Sequence, residues 1–391
     1  MSPASNKETV VVITPFFSPN VGGAETFAND LVSLFVSKDR HVTVLTYQPL
    51  TSKSRAPYLE RGLNKTIFRL PWFSGRYFYL FERVPILQMA YLGTGLLFML
   101  LAYCIFTIGR PKRVLALGLS ALCVGAMIKS VFKSLRLECV LLTIYRFSSR
   151  PKLVKILNFL SNKVDSYYCL SKECADDVTF IPRVKNVITF NLWVDQTLHF
   201  YRRDLKDARA LIKKNRIPDD RKIALFVARF SPEKGVQYLI DVINKKLDGW
   251  HFIVVGDGPL SHDFEVLTSE NSKSITRIKS VENSMLPLYY SCADILIFGP
   301  ADKDYLGRTA IECLSCGTPV LIYNQSTYFG QPEELSISEN IESGILVVNS
   351  PLENCEKVLS SIKGESISFN TFLIRSAAVK SYSDSNGDCF L

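Results

Sequence analysis

Residues 222–246 read KIALFVARFSPEKGVQYLIDVINKK. An apolar run, Lys222–Ala228, gives way to a loop punctuated by proline and glycine, and apolar residues at helical spacing follow from Glu233 to Lys246. That is the opening strand, loop and helix of a parallel α/β unit. It begins more than halfway along a chain of 391 residues, and a similar pattern precedes it. Upstream, strand-like runs at Val10–Thr14, His41–Tyr47, Lys65–Leu70, Val114–Leu117, Cys139–Thr143, Ser166–Leu170 and Val187–Phe190 alternate with helical stretches such as Ala24–Ser37, Leu119–Lys133 and Lys152–Lys163. Downstream, strands are expected at His251–Val255, Thr276–Ser280, Asp294–Phe298, Pro319–Tyr323 and Ile345–Val348, with helices at Met285–Ser291 and Leu306–Ser315. Between the halves, residues 196–220 are charged, hold one short helix and end in Pro-Asp-Asp. The sequence therefore predicts an α/β fold of two Rossmann-like, doubly wound parallel-sheet domains facing across a cleft. Residues 1–195 form the first, 196–220 a linker, and 221–391 the second.

Composition agrees with a globular chain, at 47% apolar and 21% charged. The ten cysteines are scattered, which reads as free thiols in a reducing compartment rather than a disulfide scaffold. The polar start, MSPASNKETV, runs straight into VVVIT and does not resemble a secretory signal, so the expected location is the cytosol. The net charge of +9 is uneven. Residues 1–195 hold 24 Lys/Arg against 12 Asp/Glu, and residues 196–391 hold 22 against 25. A basic first half calls for an anionic partner on that side. The cations are dispersed without aromatic interleaving, which argues against nucleic acid and for an anionic membrane surface. From Val84 to Gly109 no residue is charged, a length sufficient to span a bilayer. A helix buried against a sheet, or one dipping into a single leaflet, is favoured over a span, because a crossing would divide one sheet between two sides of a membrane. The apolar residues nevertheless cover every face of this helix, more than one sheet contact needs.

Several loops carry candidate chemistry. Gly22, Gly23 and Glu25 join the first strand to the first helix, where glycines let a phosphate or sugar reach backbone N–H groups at the helix start; a tight turn explains them equally. Arg229 and Lys234 follow the strand at 222–228 and suit the charge of a diphosphate, or form a solvated loop pair. Gly256 and Gly258 form a turn or a ligand loop after the next strand. In DYLGRTAIE, Asp304 falls in a loop and Glu312 in the helix that follows, with Gly307, Arg308 and Thr309 offering donors to phosphate at the helix start. Asp304 is then placed to face a sugar and Glu312 a ribose diol, although two surface carboxylates are the plainer alternative. Asn191 and Asp195 are boundary residues that equally serve as caps.

In this order and spacing the segments resemble the retaining glycosyltransferases of family 4, the group 1 glycosyl transferases with the GT-B fold. The matching segments are Gly22–Glu25, VARFSPEKG at 227–235, VVGDGP at 254–259, LYYSCADILIFGP at 288–300, DYLGRTAIECLSCGTPV at 304–320 and SGILV at 343–347. YCLSKECADD at 168–177 and NLWVD at 191–195 are similar to family segments at the end of the first domain. The resemblance implies that Arg229 and Lys234 grip a donor diphosphate, that Glu312 holds the ribose, and that Asp304 contacts the transferred sugar. It implies transfer of a hexosyl unit from a UDP- or GDP-sugar to a hydroxyl, with retention, without a metal or other cofactor. A lipid-linked or saccharide acceptor is expected, in cell-surface polysaccharide or glycolipid synthesis at the inner face of the membrane. The chain departs from the family pattern at four places. Asp304 replaces the usual glutamate, Tyr305 a usual glycine, and Thr143–Phe147 (TIYRF) lacks a histidine that many members carry there. The sequence also ends at SYSDSNGDCFL, where members continue through a helix that crosses back to the first domain. These departures leave open a degenerate member that binds without catalysing.

Overall fold

The computed structural model describes residues 9–20, 22–50, 55–73, 84–106, 111–196, 200–215, 217–218, 220–271, 273–299, 306–324, 343–349, 352–365 and 367–391. By its contacts the chain divides into unit 1, Met1–Leu192 with Asn386–Leu391, and unit 2, Trp193–Ser385.

Among the described residues, unit 1 builds an eight-stranded sheet from β1 (Thr9–Ile13), β2 (His41–Tyr47), β3 (Leu59–Gly62), β4 (Lys65–Leu70), β5 (Arg113–Leu117), β6 (Arg136–Leu141), β7 (Ser166–Cys169) and β8 (Val187–Thr189). The order across the sheet is β3-β4-β2-β1-β5-β6-β7-β8. All neighbours are parallel except β3, which lies antiparallel to β4. β3 escapes a sequence reading because Leu-Glu-Arg-Gly has neither an apolar run nor alternation, and only the turn with Asn64 at φ 54° sets it beside β4. The connections are α1 (Gly23–Ser37), α2 (Pro85–Phe106), α3 (Leu119–Val131), α4 (Pro151–Ser161) and α5 (Lys172–Val178).

The apolar segment is α2, and it packs along the sheet. Leu92, Leu96, Leu100 and Cys104 recur on one face and are buried in the same core as Val11, Leu45, Val114 and Leu137. The Tyr47 hydroxyl enters the backbone ladder of this helix, donating to the Leu92 carbonyl and accepting from the Leu96 N–H at 2.8 Å. Burial raises the phenol's pKa above its ordinary value, so it remains a donor. The helix is long and apolar enough to cross a membrane, yet it is stitched to β2 and leads into β5 of the same sheet.

The last six residues belong to unit 1, so the chain does return to its first domain, which corrects the expectation drawn from its ending. Arg113 donates to the Phe390 carbonyl and pairs with Glu138 at 2.8 Å, and the Phe390 ring lies 4.5 Å from Tyr168 and 5.0 Å from Phe190. Asn386 donates to the Leu192 carbonyl at 3.1 Å.

Unit 2 holds a six-stranded parallel sheet among its described residues: β9 (Lys222–Val227), β10 (Trp250–Val255), β11 (Ile275–Ile278), β12 (Ile295–Phe298), β13 (Val320–Asn324) and β14 (Ile345–Asn349), ordered β11-β10-β9-β12-β13-β14. Its helices are α6 (Leu205–Lys214), α7 (Val236–Asn244), α8 (Ser261–Glu270), α9 (Leu286–Cys292), α10 (Arg308–Ser315), α11 (Leu352–Lys363) and α12 (Thr371–Ser381). The described residues of the expected linker, 196–220, instead pack into this unit. Gln196 donates to Ser315 Oγ and the Ala378 carbonyl, both at 3.0 Å, and Arg375 donates to the Gln196 carbonyl at 2.9 Å. The helix expected from Glu233 starts as a 3-10 turn, Pro232–Lys234, because Gly235 takes a left-handed φ of 68° before α7. All ten cysteines are free thiols, the Cys313-x-x-Cys316 pair at the end of α10 included. Burial pushes the Cys316 thiol up to about 12, which leaves it protonated and inert.

Candidate functional site

In unit 2 the chain leaves β9 toward β10 on one side and returns to β12 on the other. The carboxyl ends of β9 and β12 therefore flank a topological switch point, where open parallel sheets bind ligands. The loop after β9 holds Arg229, which is exposed, and Lys234, which is half-buried in the 3-10 turn. The loop after β12 meets it directly: a Cβ on Gly299 would collide with the Lys234 carbonyl and the Gly235 Cα. Beyond Gly299, the Phe298 ring packs over Gly307, which caps α10. Helix geometry leaves the leading N–H groups of α10, from Arg308 and Thr309, without acceptors inside the helix. Lys234, Gly299 and the start of α10 are thus linked by a short run of contacts.

On the other side of β9, the loop after β10 is laced to the Arg229 loop. Phe230 N donates to the Asp257 carbonyl at 3.0 Å, and Leu260 N to the Phe230 carbonyl at 3.1 Å. Gly256, at φ 152°, allows this approach, since any Cβ there would strike the Ala228 carbonyl. The Gly256 N–H goes to Ile278 O, and the Gly258 N–H to Asp257 Oδ1 and Ser261 Oγ. These glycines shape the loop, and their N–H groups are engaged within the protein. Arg277 braces it, pairing with Glu265 at 2.9 Å and lying over the Phe230 ring at 5.5 Å.

Glu312 is buried in α10, with one carboxylate oxygen accepting from Arg308 Nε and the other from Tyr290 Oη, each at 2.8 Å. Burial, then the adjoining carboxylate, pushes the Tyr290 phenol well above its ordinary pKa, so it stays a donor. Sequence reasoning singled out Glu312 and Arg308 but missed Tyr290. Its signal was available in LYYSCAD, as a tyrosine on a helix face that is otherwise apolar. Asp304 lies outside the described residues. Among those described, no group of three or more His, Cys, Asp or Glu side chains is placed to hold a metal ion.

Gly22, Gly23 and Glu25 belong to unit 1, at its own switch point between β1 and β5. The Glu25 carboxyl folds back over Gly22, and burial raises its pKa. Asn191 falls in unit 1 and Asp195 in unit 2. The loop at Thr143–Phe147, where the resemblance led to the expectation of a histidine, is held by a contact not foreseen. Asp177 accepts from Tyr145 N at 2.8 Å and Phe147 N at 2.7 Å, clamping the intervening exposed Arg146 at a left-handed φ of 54°. Such strain in a non-glycine residue persists only where the surroundings impose it.

Residues 207–360 match the family model described as glycosyl transferases group 1. The chain is similar to the alpha-monoglucosyldiacylglycerol synthase of Acholeplasma laidlawii, 29% identical over 122 residues, 30% of each chain. It is also similar to the alpha-D-kanosaminyltransferase of Streptomyces kanamyceticus, 26% identical over 126 residues, 31% of this chain and 32% of that one. It thus spans about a third of the length of these curated relatives. Among solved structures, the sucrose-phosphate synthase of Thermosynechococcus elongatus aligns over 98% of this chain and 97% of its own, with a TM-score of 0.74 and 16% identity. The Anabaena protein Alr3699/HepE, solved with UDP and glucose, aligns over 98% of both chains with a TM-score of 0.71 and 14% identity. At that identity the likeness establishes the fold, which is GT-B.

Proposed function

We propose that the chain, whose residues 207–360 match the group 1 glycosyl transferases on a GT-B scaffold, transfers a hexosyl unit from a UDP- or GDP-sugar to a hydroxyl acceptor. The observation that carries this reading is the convergence at one switch point of the Arg229–Lys234 loop and the start of α10. Two cations and a helix N-terminus there offset the charge that develops on a departing diphosphate. On this reading no metal or other cofactor is needed. In the transfer, the bond between the anomeric carbon and the diphosphate oxygen breaks, and a bond to the acceptor oxygen forms on the same face. The acceptor's proton passes to the leaving phosphate, so retention needs no enzymic nucleophile. Glu312 binds the ribose diol. Arg308 and Tyr290 orient its carboxylate, one on each oxygen. Asp304 faces the transferred sugar, and the Gly22–Gly23–Glu25 loop serves phosphate or acceptor. The acceptor is lipid-linked or a saccharide, met at an anionic membrane surface on the cytoplasmic side, in polysaccharide or glycolipid synthesis.

A thermal-shift screen of UDP-, GDP- and ADP-sugars tests this directly, because a ligand that binds only the folded state raises Tm. One donor should stand out, and transfer from it should follow. If none raises Tm, the donor site assigned here is wrong. If a donor binds but no acceptor mixture yields product, the non-catalytic binding subunit replaces the enzyme.

A further inference from the structure

We infer that α2, α3 and α4 together form a docking face for the headgroup region of an anionic lipid leaflet, entering it from one side without crossing. This rests on the reading of an enzyme that meets its acceptor at a membrane, and assigns that encounter to a surface.

A helix on a sheet ordinarily shows a polar outer face. The outward stripe of α2 is Leu87, Ala90, Thr94, Phe98, Leu101 and Ile105, at helical spacing and all exposed. Phe98 is 66% exposed, and Phe106 at the end of the helix is 83% exposed. The single polar group in the stripe, Thr94 Oγ1, is satisfied by the Ala90 carbonyl at 2.7 Å, as a group facing hydrocarbon must be. The neighbouring helices continue the pattern. Val131 on α3 is 72% exposed and Phe159 on α4 is 73% exposed, with Met127 and Ile156 beside them also exposed. Packing of α2 on α3 and of α3 on α4 over the same sheet face makes these one layer.

Charge selects the occupant. Residues 84–164 contain eleven Lys/Arg and a single acid, Glu138. That acid is fully buried on β6 and paired with Arg113 and Arg136. The three helices carry no carboxylate, and Lys152 and Lys155 are exposed around Ile156 and Phe159, with Lys163 half-buried nearby in sequence. Exposed apolar side chains ringed by cations, with the neighbouring Asp165 already paired to Lys129 of α3, suit phosphate headgroups above acyl chains. An open cleft of about 270 Å³ beside α4, floored by Phe147, Val154 and Phe180 with Lys155 at its rim, extends the same chemistry.

Flotation of the full chain with vesicles of phosphatidylcholine alone, and of equimolar phosphatidylcholine and phosphatidylglycerol, tests the assignment. Binding to the anionic vesicles should be at least tenfold tighter and should weaken with salt. Lys152→Glu with Lys155→Glu should cost at least roughly fivefold per lysine. Phe98→Glu with Phe159→Glu should abolish binding to both vesicle types while leaving the melting temperature and the donor-sugar thermal shift unchanged. In the unaltered protein, hydrogen exchange should slow on vesicle addition in α2, α3 and α4 and not in unit 2. Failure to bind anionic vesicles, protection confined to other elements, or a dimer in solution that Phe159→Glu dissociates would each overturn the docking face. A donor thermal shift that survives any of these results leaves the transferase reading standing.

Discussion

Each unit buries a glutamate against arginine, and the two do different things. In unit 1, Glu138 sits mid-strand on β6, fully enclosed, between Arg113 at 2.8 Å and Arg136 at 2.7 Å. Arg113 in turn holds the Phe390 carbonyl, so this pair fastens the returning chain end to the sheet. In unit 2, Glu312 sits one turn into α10, beside the carboxyl edge of its sheet, with Arg308 and Tyr290 as partners. A buried ion pair is poor evidence of stabilisation by itself, because desolvation offsets most of the attraction. Location separates the two. Glu138 lies where only the fold can use it, and Glu312 lies where the proposed donor would meet it.

The largest expected effect follows from this. Glu138→Ala leaves Arg113 buried without its counter-charge and should cost about 3–5 kcal/mol of unit 1 stability. Denaturant unfolding would measure it, and donor affinity of the folded fraction should not change. Next comes pH. Burial and the nearby Arg221 hold His251 on β10 down to about 4, from an ordinary value near 6.5. The folded state then resists a proton that the unfolded chain accepts. Its contribution is complete above about pH 6.5 and is lost progressively as pH falls toward 4, by at most about 3 kcal/mol. His251→Gln should flatten that part of the Tm-versus-pH curve. Glu312→Gln should weaken donor binding about tenfold, about 1.4 kcal/mol, as seen by calorimetry with the donor chosen in the screen. Equal loss of donor affinity in the Glu138 and Glu312 variants would erase the distinction between them. The smallest effect belongs to the lipid-facing layer, where Phe159→Ser should change stability by less than about 0.5 kcal/mol.

The two units also differ in how much of them could be read in advance. In unit 2 the informative residues sit in loops at strand ends, where glycine, proline and charge leave a linear signature. Arg229 and Lys234 were singled out for that reason and Glu312 from the helix that follows, while the roles proposed for them come from the resemblance. The role of Gly256 was only half legible, because its collision partner Ala228 is distant in sequence. In unit 1, β2 and β4 were read to the residue from their apolar runs, whereas β3 and the clamp from Asp177 depend on contacts made only after folding. The apolar character of α2 was plain in the sequence. Which of its faces is buried was not, because a helix apolar on every side gives no direction. The return of residues 386–391 was hidden too, since six residues, Asn-Gly-Asp-Cys-Phe-Leu, are too few to carry a periodic signal.

The central claim is that the cations after β9 hold a diphosphate. Calorimetric titration of the selected nucleoside diphosphate into the unaltered protein and Lys234→Ala tests it most directly. The account predicts a Kd at least tenfold weaker for the variant, with Tm in the absence of ligand unchanged. An unaltered Kd would contradict it.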